Sequence, residues 1–233
     1  MNYSAASVTD RLFGSTPLSV RQSSVIRQAY LLLGLAVVSA MAGGYIGATT
    51  PAIVGFFASP IGWVAAMILL NVVPWIAIRV RHNPALGVSA LVFDGFLGGI
   101  ALSPLLFYAS VAAPGMIPIA LAVTGAVFLG VTGYVLASGR TFSAPRGLMA
   151  GMFFAVLAAM ILNAFLHIGW LGVAVAIGIG AIGVASLVYG TSSVLNSPDA
   201  DSPIPGALWL YASLFNIFVA VLNLLLRLLA DRR

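Results

Sequence analysis

Long apolar runs separated by short polar segments make up most of this sequence. About twenty apolar residues, rising roughly 1.5 Å each on a helix, match a bilayer hydrocarbon core of about 30 Å. Charged residues fall mainly between the runs. The pattern predicts an all-α, polytopic transmembrane bundle of seven helices, with spans at residues 28–48, 56–78, 84–106, 117–137, 147–168, 169–195 and 203–229.

The last run carries its polar residues on one face. Its polar and small positions follow steps of three and four, which places them on one stripe of a helix. Lipid cannot hydrogen-bond an amide or a hydroxyl, so this stripe needs protein or water against it. We therefore expect the last helix to be central in the bundle, with a stripe made of Ser213, Asn216, Ala220, Asn223 and Arg227.

The termini are polar. Residues 1–27 are rich in serine and lack an apolar core followed by a small-residue cleavage site, so they are not expected to be a removed signal peptide. We expect a flexible cytoplasmic amino-terminal tail at 1–27, a transmembrane domain at 28–230 and a short carboxy-terminal tail at 231–233.

Composition supports membrane insertion. Of 233 residues, 61% are hydrophobic and 6% are charged, whereas soluble domains carry about 25% charged residues. The mean hydropathy is +1.12. The absence of cysteine excludes disulfides and thiolate chemistry. The net charge of +5 comes from arginines in loops and tails, which indicates membrane topology rather than nucleic-acid binding.

Arginine placement predicts the orientation. With a cytoplasmic amino terminus, the inner segments hold most arginines, while the loops near 49–55, 107–116 and 168 hold none. Seven spans then place Arg227, Arg232 and Arg233 outside, against this rule. Six spans, with the sixth segment re-entrant, would return this basic end to the cytoplasm, and both topologies stay open.

Small residues and prolines indicate packing details. Small residues spaced by four allow close helix contact in lipid, and proline inside a span predicts a kink. The small-residue sets are Gly43 with Gly47, Gly147 with Gly151 and Ala155, and Gly172 with Ala176 and Gly180; the expected kinks are at Pro60 and Pro74.

Asp94 is the only acid deep inside an apolar run. A carboxylate near the bilayer centre costs about 2.5 to 3.5 kcal/mol on insertion scales, so it must face the interior, be protonated or have a partner. Candidate partners are Asn163, Ser213 and Asn216. The residue is either a proton- or cation-sensing site or a structural, protonated Asp.

Signatures of catalysis are absent. The sequence contains no HExxH, no GxSxG and no nucleotide-binding glycine loop. His82 and His167 fall at opposite ends of the predicted spans, so they are expected at the surface and not at a shared metal. No catalytic residue, cofactor or metal site is predicted.

Two long motifs resemble the Bax inhibitor-1 family: FDGFLGGIALSPLL (93–106) is similar to its third helix and LYASLFNIFVAVLNLL (210–225) to its last. QAYLLLGLA (28–36) fits the first. The resemblance implies a pH-sensitive calcium or cation leak, in which two acids pair with an arginine.

Carried over by position, those two acids fall at Gly190 and Ser213, and the arginine at Arg81 or Arg79. Glycine and serine do not titrate near neutral pH. A leak of this chain would therefore have an altered acid pair, with Asp94 replacing the missing carboxylates. This leak is the alternative function.

Ser213 and Asn163 instead resemble the bacterial YccA-like branch of the family. That resemblance implies an inner-membrane protein that binds the FtsH protease and its HflKC accessory proteins through its cytoplasmic tail. The candidate tail contacts are Arg11, Arg21 and Arg27. Slow extraction of the bundle would make such a protein a competitive inhibitor of the protease.

Overall fold

The computed structural model describes residues 20–143, 146–166, 168–196 and 202–230, so Arg11, His167 and the carboxy-terminal tail 231–233 lie outside it. The residues within these ranges form helices and no strand. In chain order the helices are α1 (Val20–Thr49), α2 (Pro51–Ala58), α3 (Pro60–Arg79), α4 (Pro84–Ala101), α5 (Ser103–Ala112), α6 (Met116–Ser138), α7 (Arg146–Leu166), α8 (Gly169–Asn196) and α9 (Ile204–Ala230).

The helices identify a multi-pass membrane protein. In the part of the chain that the structure describes, six helices are long and apolar enough to cross a membrane, namely α1, α3, α4, α6, α8 and α9. The apolar stretch of α7, Gly147–Asn163, is shorter, as is α5. The span predicted at 147–168 corresponds to α7, so it is the one that the six do not include.

The first helix begins earlier than expected. It starts at Val20, inside the segment 1–27 that was expected to be a flexible tail. Arg21 and Arg27 therefore lie on α1, and the Arg27 side chain is exposed.

Prolines divide two of the predicted spans. Pro60 does not kink a continuous helix; it begins α3, and the Ser59 side chain caps that helix by accepting a hydrogen bond from the Gly62 amide at 3.1 Å. The span predicted at 84–106 was wrong in the same way, because α4 ends at Ala101 and α5 begins at Ser103. Pro104 has no N–H to continue the helical hydrogen bonds of α4, and it stands in the first turn of α5, where a helix tolerates proline.

Helices α1 and α4 pack with their backbones in contact. A Cβ at Gly43 would overlap the Phe96 carbonyl oxygen, and one at Gly99 would lie 2.6 Å from the Gly44 nitrogen. The Ser39 hydroxyl donates to the Val92 carbonyl across the same interface at 2.7 Å. The predicted close contact of the α1 glycines is confirmed, and the α4 glycines supply its other side.

Helices α8 and α9 form a second close interface and run antiparallel along it, and a Cβ at Gly183 would lie 3.0 Å from the Ile217 nitrogen. Near the start of α9, Gly206 contacts Val194, and near its end, Arg227 lies against Gly172. Between these points, a Cβ at Gly180 would lie 3.1 Å from the Ala220 Cβ. The helix α8 is 28 residues long, so the re-entrant alternative for the sixth segment is wrong.

The last helix also packs against α1, α3, α4 and α6. Its first half belongs to one core cluster, which includes Leu33, Leu91 and Leu187. Its second half, with Leu222 and Leu226, packs against the end of α5 and the start of α6. Helices α1 and α9 both begin at one end of the bundle, here called the amino-terminal end, where Gly206 lies near Ala29, and α9 finishes at the opposite end.

Helix α7 is the outlying helix. It packs against α8, where a Cβ at Gly178 would lie 2.6 Å from a Val156 methyl. Gly147 and Gly151 were expected to mediate close contact, but a Cβ at either position would have nothing within 4 Å, and Ala155 is exposed. That expectation was wrong, because α7 approaches α8 through its middle and not through its first turns.

Candidate functional site

Asp94 lies in the interior of the bundle, on the face of α4 that carries Leu91 and Gly98. Its side chain is 4% exposed. The Oδ1 atom is buried without a hydrogen-bond partner, and no cation among the described residues pairs with the carboxyl. Because an unpaired buried charge is expensive, this position favours a neutral, protonated carboxyl.

Tyr211 of α9 is the polar side chain placed beside this carboxyl. Its hydroxyl donates to the carbonyl of Gly95, the residue after Asp94, at 3.2 Å. The same hydroxyl occupies the space that a side chain at Gly98 would need. The phenol therefore lies within one helical turn of Asp94, on the same face of α4.

Sequence reasoning missed Tyr211, because it does not belong to the polar stripe of the last helix. The signal available in the sequence was the pair Gly95 and Gly98 on α4, which leaves room for a large side chain from a facing helix.

The side chains proposed as partners of Asp94 are elsewhere. The Ser213 hydroxyl donates to the Trp209 carbonyl of its own helix at 2.8 Å. Asn163 is on α7, and its Oδ1 is buried without a partner. Asn216 is half-buried and forms no hydrogen bond within the described ranges. None of the three is hydrogen-bonded to Asp94.

The stripe of the last helix faces α8 instead. Ser213 is fully buried with its backbone next to Gly183, and Ala220 meets Gly180. At the end of the stripe, the Arg227 guanidinium lies over Gly172, and its Nη1 is 3.5 Å from the Gly169 carbonyl. Three of the five stripe residues, Ser213, Ala220 and Arg227, therefore contact glycines of α8, whereas Asn216 and Asn223 are half-buried.

Arg81 lies in the turn before α4, at the amino-terminal end of the bundle, whereas Asp94 lies near the middle of that helix. Its Nε donates to His82 Nε2 at 3.3 Å, and both side chains are exposed. They line a cavity of about 470 Å³ together with Gln28 and Ile204. Arg79 instead stacks on Trp75, with the guanidinium carbon 4.0 Å from the ring centroid.

Gly190, one of the two positions where the resemblance implies acids, lies against an aromatic side chain. A Cβ at Gly190 would overlap the Trp209 ring, which covers this part of α8. The Trp209 Nε1 donates to the Ser186 carbonyl at 2.9 Å, and Tyr189 packs edge-on to the indole, with centroids 5.4 Å apart. The glycine therefore makes room for an indole.

A buried hydroxyl cluster also escaped the sequence analysis. The hydroxyls of Tyr30, Thr132 and Thr191 come from α1, α6 and α8 and lie near one another. All three oxygens are buried, and none has a partner in hydrogen-bonding geometry. Their spacing in the sequence gave no signal, because each comes from a different helix.

The chemistry available at Asp94 is limited. One carboxyl and one phenol can exchange a proton or a hydrogen bond, but three side-chain oxygens are too few for a good calcium site. Among the residues that the structure describes, no three His, Asp or Glu side chains come close enough to hold a metal ion.

The Trp209–Gly190 contact predicts a coupled pair. Gly190→Ala should lower the free energy of unfolding by about 1 to 3 kcal/mol, because the new methyl displaces the indole. In a Trp209→Ala background the same change should cost much less. Unfolding by SDS in mixed micelles, followed by circular dichroism, measures both costs.

Gly130→Ala on α6 is the matched control, since nothing lies within 4 Å of a side chain there. If Gly190→Ala costs the same with and without Trp209, the contact does not set the packing at this position.

Comparison with known proteins shows which family this chain resembles. Residues 22–229 match the family described as "Inhibitor of apoptosis-promoting Bax1". The chain is 30% identical over 202 residues to "Modulator of FtsH protease YccA" of Escherichia coli strain K12, which covers 86% of this chain and 89% of that protein.

A second relative has no assigned function. An "Uncharacterized membrane protein" of Vibrio cholerae is 28% identical over 224 residues, covering 91% of this chain and 96% of that protein. Because the family match extends over nearly all described helices, the chain belongs to the Bax inhibitor-1 family.

Proposed function

We propose that this protein resides in the inner membrane and binds and modulates the FtsH protease, which engages the segment before α1. The observation that carries the proposal is the 30% identity, over 86% of the chain, to a protein named as a modulator of FtsH. The accessory proteins HflKC belong to the same proposed assembly.

The proposed topology has seven spans, a cytoplasmic amino terminus and α9 at the axis. Arg27, Arg79, Arg81 and Arg140 all belong to segments at the amino-terminal end of the bundle, which supports a cytoplasmic location of that end. Arg227 lies at the other end, where it packs against Gly172 and the Gly169 carbonyl. Its contact with α8 explains how an arginine is accommodated there.

The packing of α1 supports a role as a resistant substrate. A protease that pulls from the amino terminus must first separate α1 from α4, whose backbones are in contact at Gly43 and Gly99. It must then extract the span, at about 0.3 to 0.6 kcal/mol per central apolar residue, or roughly 6 to 12 kcal/mol for twenty residues. Slow extraction keeps the protease occupied, which is competitive inhibition.

One observation favours a second candidate function, a cation or proton leak. Asp94 is an acid in the middle of a span, 4% exposed and without an ionic partner in the described ranges. Ionisable groups at that depth are a common feature of ion pathways. Gly190 and Ser213 stand where a paired-acid leak would need carboxylates, so the passage of calcium or protons would depend on Asp94 alone.

Deleting residues 2–19, which precede α1, should abolish co-purification with FtsH and HflKC. The bundle should stay folded, because the deletion leaves α1 and the other described helices intact. Co-purification from membranes and the thermal unfolding midpoint measure the two effects.

A variant with residues 2–19 in scrambled order separates the sequence of the segment from its length. Undiminished FtsH binding by the deletion variant would refute the proposed route of engagement.

Asp94→Asn tests the leak. If the leak exists, the substitution should reduce calcium or proton flux to the level of protein-free liposomes, whereas Asp94→Glu, which keeps a carboxyl, should retain part of it. Flux is measured with an entrapped indicator dye. Equal flux through the original protein and Asp94→Asn would count against this function.

A further inference from the structure

Asn71 is a polar side chain on the lipid-facing surface of α3. It lies near the middle of this 20-residue helix, and its side chain is exposed. The surrounding side chains on that face are apolar and exposed as well, with Ile68 at 56%, Val72 at 43% and Trp75 at 55%. At this depth no water is available to hydrogen-bond an amide.

The amide is only partly satisfied within one chain. Its Nδ2 donates to the Met67 carbonyl, one turn back, at 2.7 Å. That carbonyl also accepts a backbone hydrogen bond within the helix, so the Asn71 amide shares an acceptor that is already in use. The Oδ1 acceptor and the second amide hydrogen have no partner in the part of the chain that the structure describes.

Asn71 lines a groove that opens sideways between α3 and α7. The groove has a volume of about 460 Å³, and apart from Asn71 its lining is apolar. The α7 side is formed by Leu157 and Ile161, and Ile161 is 44% exposed. No charged side chain lines it, so a helix can lie in it without desolvating an ion.

A second copy of this chain suits the groove better than a lipid does. An acyl chain fills apolar space but offers no hydrogen bond to an amide, whereas asparagine on a transmembrane helix bonds polar groups of a facing helix. A carboxamide has both a donor and an acceptor, so it complements itself. A two-fold axis along the membrane normal brings identical residues together at identical depth.

We propose that this groove is the contact surface of a homodimer within the membrane. The α3 helix of each copy lies along the groove of the other, and the two Asn71 amides form a reciprocal pair of hydrogen bonds at the crossing point. The dimer interface is formed by α3 and α7, which are peripheral, and its formation does not require an interaction with a protease.

Single-cysteine cross-linking tests the dimer, because the chain contains no cysteine. Ile68→Cys lies about one turn from Asn71 on the same face, and Leu129→Cys on α6 is a matched control, since Leu129 is 70% exposed and also lies mid-helix. The full chain is reconstituted into liposomes over a range of protein-to-lipid ratios and oxidised. Ile68→Cys should cross-link well above the Leu129→Cys collision level.

The role of the amide is tested in the Ile68→Cys background. Asn71→Leu should weaken association about 3-fold to 30-fold, the range that interhelical hydrogen bonds provide, and Asn71→Gln should keep most of it. Cross-linking of Ile68→Cys no greater than that of Leu129→Cys would overturn the dimer. Cross-linking unchanged by Asn71→Leu would overturn the amide pair. If Asn71→Leu does not fold, the comparison of the two cysteine positions still decides the question of the dimer.

Discussion

Close approach of helix backbones through glycine is the constraint on which the rest of this bundle depends. Lipid tails are as apolar as leucine, so there is no hydrophobic drive between helices in a membrane, and dispersion contacts must replace it. At Gly43 and Gly99 the α1 and α4 backbones touch, and at Gly183 the α8 backbone lies close to the backbone of Ser213 and Ile217 on α9. These two interfaces join the beginning of the chain to its middle and the last two helices to each other.

The spaces left by glycine also decide where the large polar side chains go. The Tyr211 hydroxyl lies over Gly98, the Trp209 indole over Gly190, and the Arg227 guanidinium over Gly172. Because the Tyr211 hydroxyl fills the space over Gly98, the side chain beside Asp94 is a phenol and not an acid or an arginine. The position where a paired acid would stand on α8, Gly190, is likewise filled by the Trp209 indole.

Sequence periodicity was sufficient for the helical class, the approximate spans and the stripe of the last helix, because each depends on apolar length and helical spacing within one segment. It failed at Leu102, where Pro104 ends a helix inside an apolar run, and at Gly147 and Gly151, where a Cβ would have nothing within 4 Å. The surroundings of Asp94 were out of reach, since Gly95, Gly98 and Tyr211 come together only when α4 meets α9. The hydroxyls of Tyr30, Thr132 and Thr191 likewise belong to three separate helices.

The most direct test compares two glycines of α1. Gly43 faces the Phe96 carbonyl, whereas Gly34 has nothing within 4 Å of a side chain. Both sites receive alanine, and SDS-induced unfolding in mixed micelles measures the free energy of each variant. Gly43→Ala should lose about 1 to 3 kcal/mol, and Gly34→Ala should be neutral or slightly more stable, because alanine favours a helix over glycine. Equal stability of the two variants would contradict the dependence of the bundle on backbone contact.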